Sequence, residues 1–212
     1  MASPPVVPFV GLTGGIGAGK STALAALARM GAAVLSTDAV VHELYAGDER
    51  LRAAVLERWG PEVAPDGVVD RAGIARRVFA DAGERRWLEG LLWPLVGERV
   101  ASWLQEARAQ TPPPPAAVVE VPLLFEAGME GVYDATIAVV ADEPVRAARA
   151  AARDHALPDE RDARQLSQEE KAGRATFTVR NNGSERELEE ELSAVLAMLK
   201  PCPSPASDVV EP

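Results

Sequence analysis

Cysteine is almost absent from this chain of 212 residues: there is one, Cys202, in a proline-rich C-terminal stretch. That excludes an internal disulfide framework and any cysteine-held zinc cluster. Histidine occurs twice, at His42 and His155, far apart in sequence. His42 lies four residues after Asp38 and could face a ligand, but a solvated or capping role is the expectation, ahead of metal ligation. No run approaches the roughly 18 apolar residues that a membrane helix needs. The opening MASPPVVPF has neither the basic start nor the apolar stretch of a secretory signal. Positive charge is also short, with 22 Lys and Arg against 32 Asp and Glu and a net charge of −10. Phosphate-backbone binding needs a basic face. No nucleic-acid partner and no membrane partner are expected, and the predicted address is cytoplasmic. A nucleotide remains open, because it asks only for a local set of cations and a divalent metal.

What is present is an ordinary hydrophobic content of 47%, enough for one α/β domain with insertions. Residues Val6 to Leu12 read as a buried strand that runs into glycines. Ser21 to Met30 has the alanine and leucine spacing of a packed helix closed by Gly31, and Ala32 to Leu35 is a second short apolar run. From about Val40 to Gln110 strand-like runs vanish, and Leu88, Leu91, Leu92, Leu95 and Val96 recur at helical spacing. The Pro65-Asp66-Gly67 turn splits that region in two. Thr111 and Pro112 to Pro115 form a stiff connector. Ala116 to Val121 and Ala135 to Val140 are strand-like again, with Pro122 to Asp134 between them as a loop or short helix. Glu143 to Asp154 reads as a helix, Ala175 to Val179 as a last apolar run, and Ser184 with Glu187 as a capping box that opens a final helix through Leu199. Strands alternating with helices predict a mostly parallel sheet that binds ligands at the carboxyl ends of its strands.

The strongest motif is Gly14-Gly15-Ile16-Gly17-Ala18-Gly19-Lys20-Ser21, which matches G-x-x-x-x-G-K-S/T between a predicted strand and a predicted helix. A triphosphate must be wrapped by inward-pointing backbone N–H groups, a nest that side chains would block. Glycines leave that space open, and the helix that follows adds the positive end of its dipole. Lys20 is spaced to reach the β- and γ-phosphates, and Ser21 offers a hydroxyl to Mg²⁺. No G-x-G-x-x-G dinucleotide fingerprint occurs. The motif predicts nucleoside triphosphate binding without separating a kinase from a GTPase or a motor ATPase.

Asp38 lies eighteen residues beyond Lys20, room for a helix of about three turns and a return strand to the same sheet edge. There it could accept the proton of an attacking hydroxyl near Mg²⁺. It could equally cap a helix starting at Ala39. Both readings fit the spacing.

With these residues in view, the chain resembles the dephospho-coenzyme A kinase family. Gly11 to Thr22 is similar to that family's P-loop, including the Leu-Thr-Gly-Gly-Ile lead. Where the family shows Asp-x-Asp, this chain has Ser36 and Asp38. Pro122-Leu123-Leu124-Phe125-Glu126 looks like the segment beside the acceptor pocket, Arg149 and Arg153-Asp154 like the lid arginines, and Gln165 like the lid glutamine. Asn181-Asn182-Gly183 is similar to the turn near the adenine. Gly67, Asp70, Phe79, Leu88 and Pro94 fit the helical region, and Trp93 stands where the family commonly has histidine. The lid between Asp154 and Gln165, with Arg161 and Arg164, is shorter than the family's.

The resemblance implies an α/β fold, a P-loop kinase-like three-layer sandwich with a five-stranded parallel sheet, a helical acceptor-binding insert and a lid. The expected organisation is a flexible N-terminus at 1–8 and a kinase domain at 9–200, followed by a disordered tail at 201–212. Within the domain the core takes 9–40, 116–142 and 175–200, the insert about 41–111 and the lid about 143–174. The implied activity is phosphorylation of the ribose 3′-hydroxyl of dephospho-coenzyme A by ATP with Mg²⁺, in a monomer or weak homo-oligomer. Lys20, Asp38 and Arg149 are the expected catalytic groups. Gly15, Gly17, Ala18, Gly19, Lys20, Ser21, Thr22, Arg153 and Asn181 are expected at the nucleotide, with Ser21 on the metal. A nucleoside or nucleoside-monophosphate kinase shares the same loop logic, and a slow nucleotide-hydrolysing switch is a third reading. The missing N-K-x-D guanine motif and the sizeable helical insert count against a GTPase switch.

Overall fold

The computed structural model describes residues 7–151 and 165–199. The expectations for Arg153, Arg161, Arg164 and the tail fall outside the described residues. The chain divides into two compact units: Met1–Val34 together with Leu104–Pro212, and Leu35–Trp103.

The first unit is organised by β1 (Phe9–Gly14), β3 (Ala117–Glu120), β4 (Ala135–Val140) and β5 (Phe177–Arg180). With β2 (Ala33–Ser36) they make a five-stranded sheet of order β2-β3-β1-β4-β5, and the β1–β3, β1–β4 and β4–β5 pairs are parallel. This is the predicted α/β architecture. Parallel strands covered on both faces read as continuous apolar runs, and β1, β3 and β4 are buried along their whole length. Period-two alternation sends Val10, Leu12, Val118, Ile137, Val139 and Val179 into one core. There they meet Ala23, Ala26 and Leu27 of α1 (Lys20–Arg29) and Leu188, Leu192 and Val195 of α8 (Glu185–Met198). The Ser184–Glu187 capping box that opens α8 is present, and its bond to the Ser184 N–H holds the Glu187 carboxyl below its ordinary range. α6 (Glu143–Ala151) follows β4, and α7 (Gln168–Arg174) packs against β4 and β1.

The second unit is helical: α2 (Thr37–Gly47), α3 (Glu49–Trp59), α4 (Arg71–Ala80) and most of α5 (Ala82–Ala109). Val40, Leu44, Leu51, Val55, Trp59, Ile74, Leu88 and Leu95 form its own core. The Trp59 indole N–H donates to Glu84 Oε2 at 2.7 Å, so its polar edge is satisfied while its rings pack edge-on against Trp87.

Candidate active site

β1 ends at Gly14, and residues 15–19 turn the chain into α1, whose N-cap is Gly19. Gly19 sits at φ 92°, in the left-handed region that favours glycine, and a Cβ there would collide with the Asn181 amide. Lys20 opens the helix, and its ammonium donates to the carbonyls of Gly14 at 3.0 Å and Gly15 at 3.2 Å. The cation therefore lies over the loop rather than in solvent. Ser21 is exposed, Thr22 half-buried and Ala18 fully buried. No acidic side chain stands in the first turn of α1, so nothing there offsets the positive end of its dipole.

Later segments close around this loop. Asn181, just past β5, is buried and donates its backbone N–H to Val140 O at 2.8 Å and its amide to Ala18 O at 2.9 Å. Arg149 on α6 donates to Asn181 O at 2.9 Å and to Asn181 Oδ1 at 3.4 Å. Lys20, Asn181 and Arg149 are thus gathered on the loop that carries Gly15, Gly17, Ala18 and Gly19. The Gln168 amide locks the end of β4 by accepting from Ala141 N–H at 2.9 Å and donating to Ala141 O at 2.8 Å. Gly15, Arg146, Gln165, Gln168 and Arg180 help line an open cavity of about 550 Å³ beside the loop.

Asp38 belongs to the helical unit. The alternative reading, in which Asp38 caps a helix starting at Ala39, is corrected: α2 begins at Thr37 with Ser36 at the N-cap position, which puts Asp38 inside the first turn. The cap position is set by where backbone hydrogen bonding starts, and that start lies two residues earlier than the sequence suggests. Asp38 is exposed, and His42 and Tyr45 follow it at helical spacing. Arg71 meets the His42 Nδ1 and lies over the Tyr45 ring at 5.5 Å. Burial pushes the Tyr45 hydroxyl above its ordinary range, with Arg71 acting against it.

The residue that sequence reasoning passed over is Lys171. Its side chain is 0% exposed, and its ammonium bonds Pro122 O at 2.9 Å and pairs with Glu126 Oε1 at 3.0 Å. Glu126 Oε1 also accepts the Leu166 N–H at 2.8 Å, and Oε2 is buried with no partner among the described residues. This pair fastens α7 to the Pro122–Glu126 segment. The available signal was scarcity: Lys20, Lys171 and Lys200 are the only lysines in a chain that otherwise uses arginine.

No group of three or more His, Cys, Asp or Glu among the described residues could hold a metal ion. The donor offered at the loop is the Ser21 hydroxyl. That suits Mg²⁺, which binds through few protein ligands and completes its shell with water and substrate phosphates.

The family model for dephospho-CoA kinase matches residues 8–187. The chain belongs to the dephospho-CoA kinase family. The dephospho-CoA kinase of Symbiobacterium thermophilum is 41% identical over 180 residues, covering 83% of this chain and 74% of that protein. That of Moorella thermoacetica is 37% identical and covers 96% of each. Among solved structures, a Thermus thermophilus protein superposes with a TM-score of 0.69 at 35% identity, over 92% of this chain and 99% of its own. As a dephospho-CoA kinase, the chain takes ATP as donor and a small molecule as acceptor. Ser36 stands at the N-cap position of α2 without a side-chain cap bond, and Trp93 is 64% exposed on α5. No described helix is long and apolar enough to cross a membrane.

Proposed function

We propose that this chain transfers the γ-phosphoryl group of ATP to the ribose 3′-hydroxyl of dephospho-CoA, giving CoA and ADP, as a cytoplasmic monomer or weak homo-oligomer. The observation that carries the reading is the Lys20 ammonium seated on the carbonyls of a glycine loop at the start of α1. Phosphoryl transfer has a loose transition state, so it asks a protein mainly for alignment and charge neutralisation. Lys20 neutralises the β- and γ-phosphates, and the N–H groups of Gly15, Gly17, Gly19 and Ser21 wrap them, with Ala18 and Thr22 alongside. Ser21 holds Mg²⁺, which when bound neutralises phosphate charge. Asp38 takes or orients the proton of the acceptor hydroxyl. Arg149, now resting on Asn181, turns to the transferred group when the nucleotide is bound, and Arg153 accompanies it. Asn181 braces the loop through Ala18 O and borders the nucleotide. The insert at about 41–111 takes the acceptor, and the lid at about 143–174 excludes water that would hydrolyse ATP.

The test is ADP release measured with dephospho-CoA, adenosine and AMP as acceptors. Release that depends on dephospho-CoA is expected. Preference for adenosine or AMP would make this a nucleoside or nucleotide kinase, and release indifferent to any acceptor would make it a hydrolytic switch. Replacing Lys20 with Ala is expected to slow turnover at least about tenfold while leaving the melting temperature nearly unchanged. Charge-assisted contacts of this kind are worth roughly 1.5–3 kcal/mol. Unchanged turnover in that variant would remove the phosphate-loop reading.

A further inference from the structure

Two carbonyls of the phosphate loop are tied down from outside by side chains of later elements. Arg146 Nε donates to Ile16 O at 2.9 Å, across 130 residues of chain. Asn181 Nδ2 donates to Ala18 O at the same distance, across 163. A trans peptide is planar, and its C=O points opposite to the N–H of the next residue. Holding Ile16 O toward Arg146 therefore turns the Gly17 N–H to the far side of the loop, away from α6. Holding Ala18 O toward Asn181 likewise turns the Gly19 N–H away from Asn181. Backbone N–H groups turned into one concavity make an anion nest, and those of Gly17 and Gly19 flank the Ala18 N–H, which bonds Gly15 O at 3.2 Å.

The loop backbone also shows why α6 can reach this close. Gly17 has φ 75°, and a Cβ on it would come within 2.8 Å of the Arg146 carbonyl oxygen. A glycine there does more than leave room for phosphate: it lets α6 lie directly against the peptide whose carbonyl it grips. At the far end of the Arg146 side chain Nη1 is paired to Glu143 Oε2 at 2.8 Å, while Nη2 lies beside Gly15.

We infer that Arg146 is a positioning residue for ATP, acting through its Nε bond to Ile16 O to aim the Gly17 N–H at the triphosphate. The inference rests on the nucleotide-site reading above and deepens it. The competing role for an arginine beside the loop is a direct charge contact with phosphate. The two roles differ in which atom matters, and side-chain chemistry separates them. Glutamine places Nε2 the same number of bonds from Cα as arginine places Nε. Arg146→Gln thus keeps the donor and discards the charge, while Arg146→Met keeps the length and discards both. Arg146→Lys keeps the charge and moves the donor outward.

The readouts are the ATP Kd by calorimetry without acceptor, the KM values for ATP and for dephospho-CoA, and the melting temperature. Arg146→Met is expected to raise the ATP Kd and KM about tenfold, equivalent to ~1.4 kcal/mol, with the dephospho-CoA KM and the melting temperature nearly unchanged. Arg146→Gln is expected to stay within about threefold of the parent protein. Glu143→Gln, which removes the ion pair and leaves the Nε bond, is expected to bind ATP normally. Normal ATP binding by Arg146→Met overturns the inference. So does a Gln variant as weak as Met beside a normal Lys variant, and so does an equal loss in Glu143→Gln. If Arg146→Met does not fold, the Gln, Lys and Glu143→Gln variants still decide. A parent protein that binds ATP and ignores dephospho-CoA would sink the proposed acceptor and leave the Arg146 inference intact.

Discussion

Asp38→Asn is expected to give a folded protein that binds ATP normally and phosphorylates dephospho-CoA at least about a hundredfold more slowly. The substitution keeps the shape of the side chain and removes its capacity to take a proton, and general-base catalysis is typically worth ~10²–10⁴-fold. The structural alternative is small. Asp38 is exposed in the first turn of α2, beyond the N-cap Ser36, where a carboxylate gains about 0.3–1 kcal/mol from the helix dipole. Stability alone would shift by a few degrees and leave turnover untouched. Rate and melting temperature measured together therefore separate the two roles. A loss of only about tenfold in kcat would assign Asp38 to orienting the hydroxyl, because a loose transition state demands little early proton removal. Full turnover would exclude any chemical role.

The second large effect is on stability. Lys171→Met removes the cation that Glu126 Oε1 depends on, while Pro122 O keeps a partner in the Thr13 hydroxyl at 3.1 Å. Glu126 is then a nearly buried carboxylate with only the Leu166 N–H, and its second oxygen already lacks a partner among the described residues. Breaking a buried ion pair from one side typically costs ~3–5 kcal/mol, because the remaining charge is stranded. At about 2–4 °C per kcal/mol for a chain of this size, the melting temperature should fall roughly 6–20 °C. Replacing both partners removes the stranded charge, so Lys171→Met with Glu126→Leu is expected to regain most of the loss. A single variant as stable as the parent would show that the pair contributes nothing net. A double variant as unstable as the single one would place the cost in lost packing rather than charge.

Much of this molecule could be read without coordinates, and the legible parts share a property: their causes are local in sequence. The loop from Gly14 to Ser21 has its glycines, lysine and hydroxyl within eight consecutive positions, as the proposed phosphate site requires, since such a site is built from one turn and one helix N-terminus. The capping box at Ser184 and Glu187 is a bond across three residues. The buried strands announce themselves as uninterrupted apolar runs. Even so, β1 runs from Phe9 to Gly14 rather than from Val6 to Leu12, and β5 from Phe177 to Arg180 rather than from Ala175 to Val179. Strand ends are set by the register of neighbouring strands, and that register is not a property of the segment itself.

What composition, spacing and motif determined was therefore the class of fold, the nucleotide loop and, through the family likeness, the reaction. The tertiary structure alone decided which side chains hold that loop in shape. Arg146 and Asn181 grip it from 130 and 163 residues away, Arg149 props Asn181, and Lys171 reaches back 49 residues to Pro122. Arg146 and Lys171 read in sequence as ordinary polar residues on helices, and only the family likeness singled out Arg149 and Asn181. They meet because the strand order β2-β3-β1-β4-β5 sets β4 directly beside β1 and β5 beside β4, which delivers α6, α7 and the turn after β5 to the edge where β1 ends. A local pattern can specify a strand or a helix, but a hydrogen bond between distant residues exists only once the sheet has chosen its neighbours.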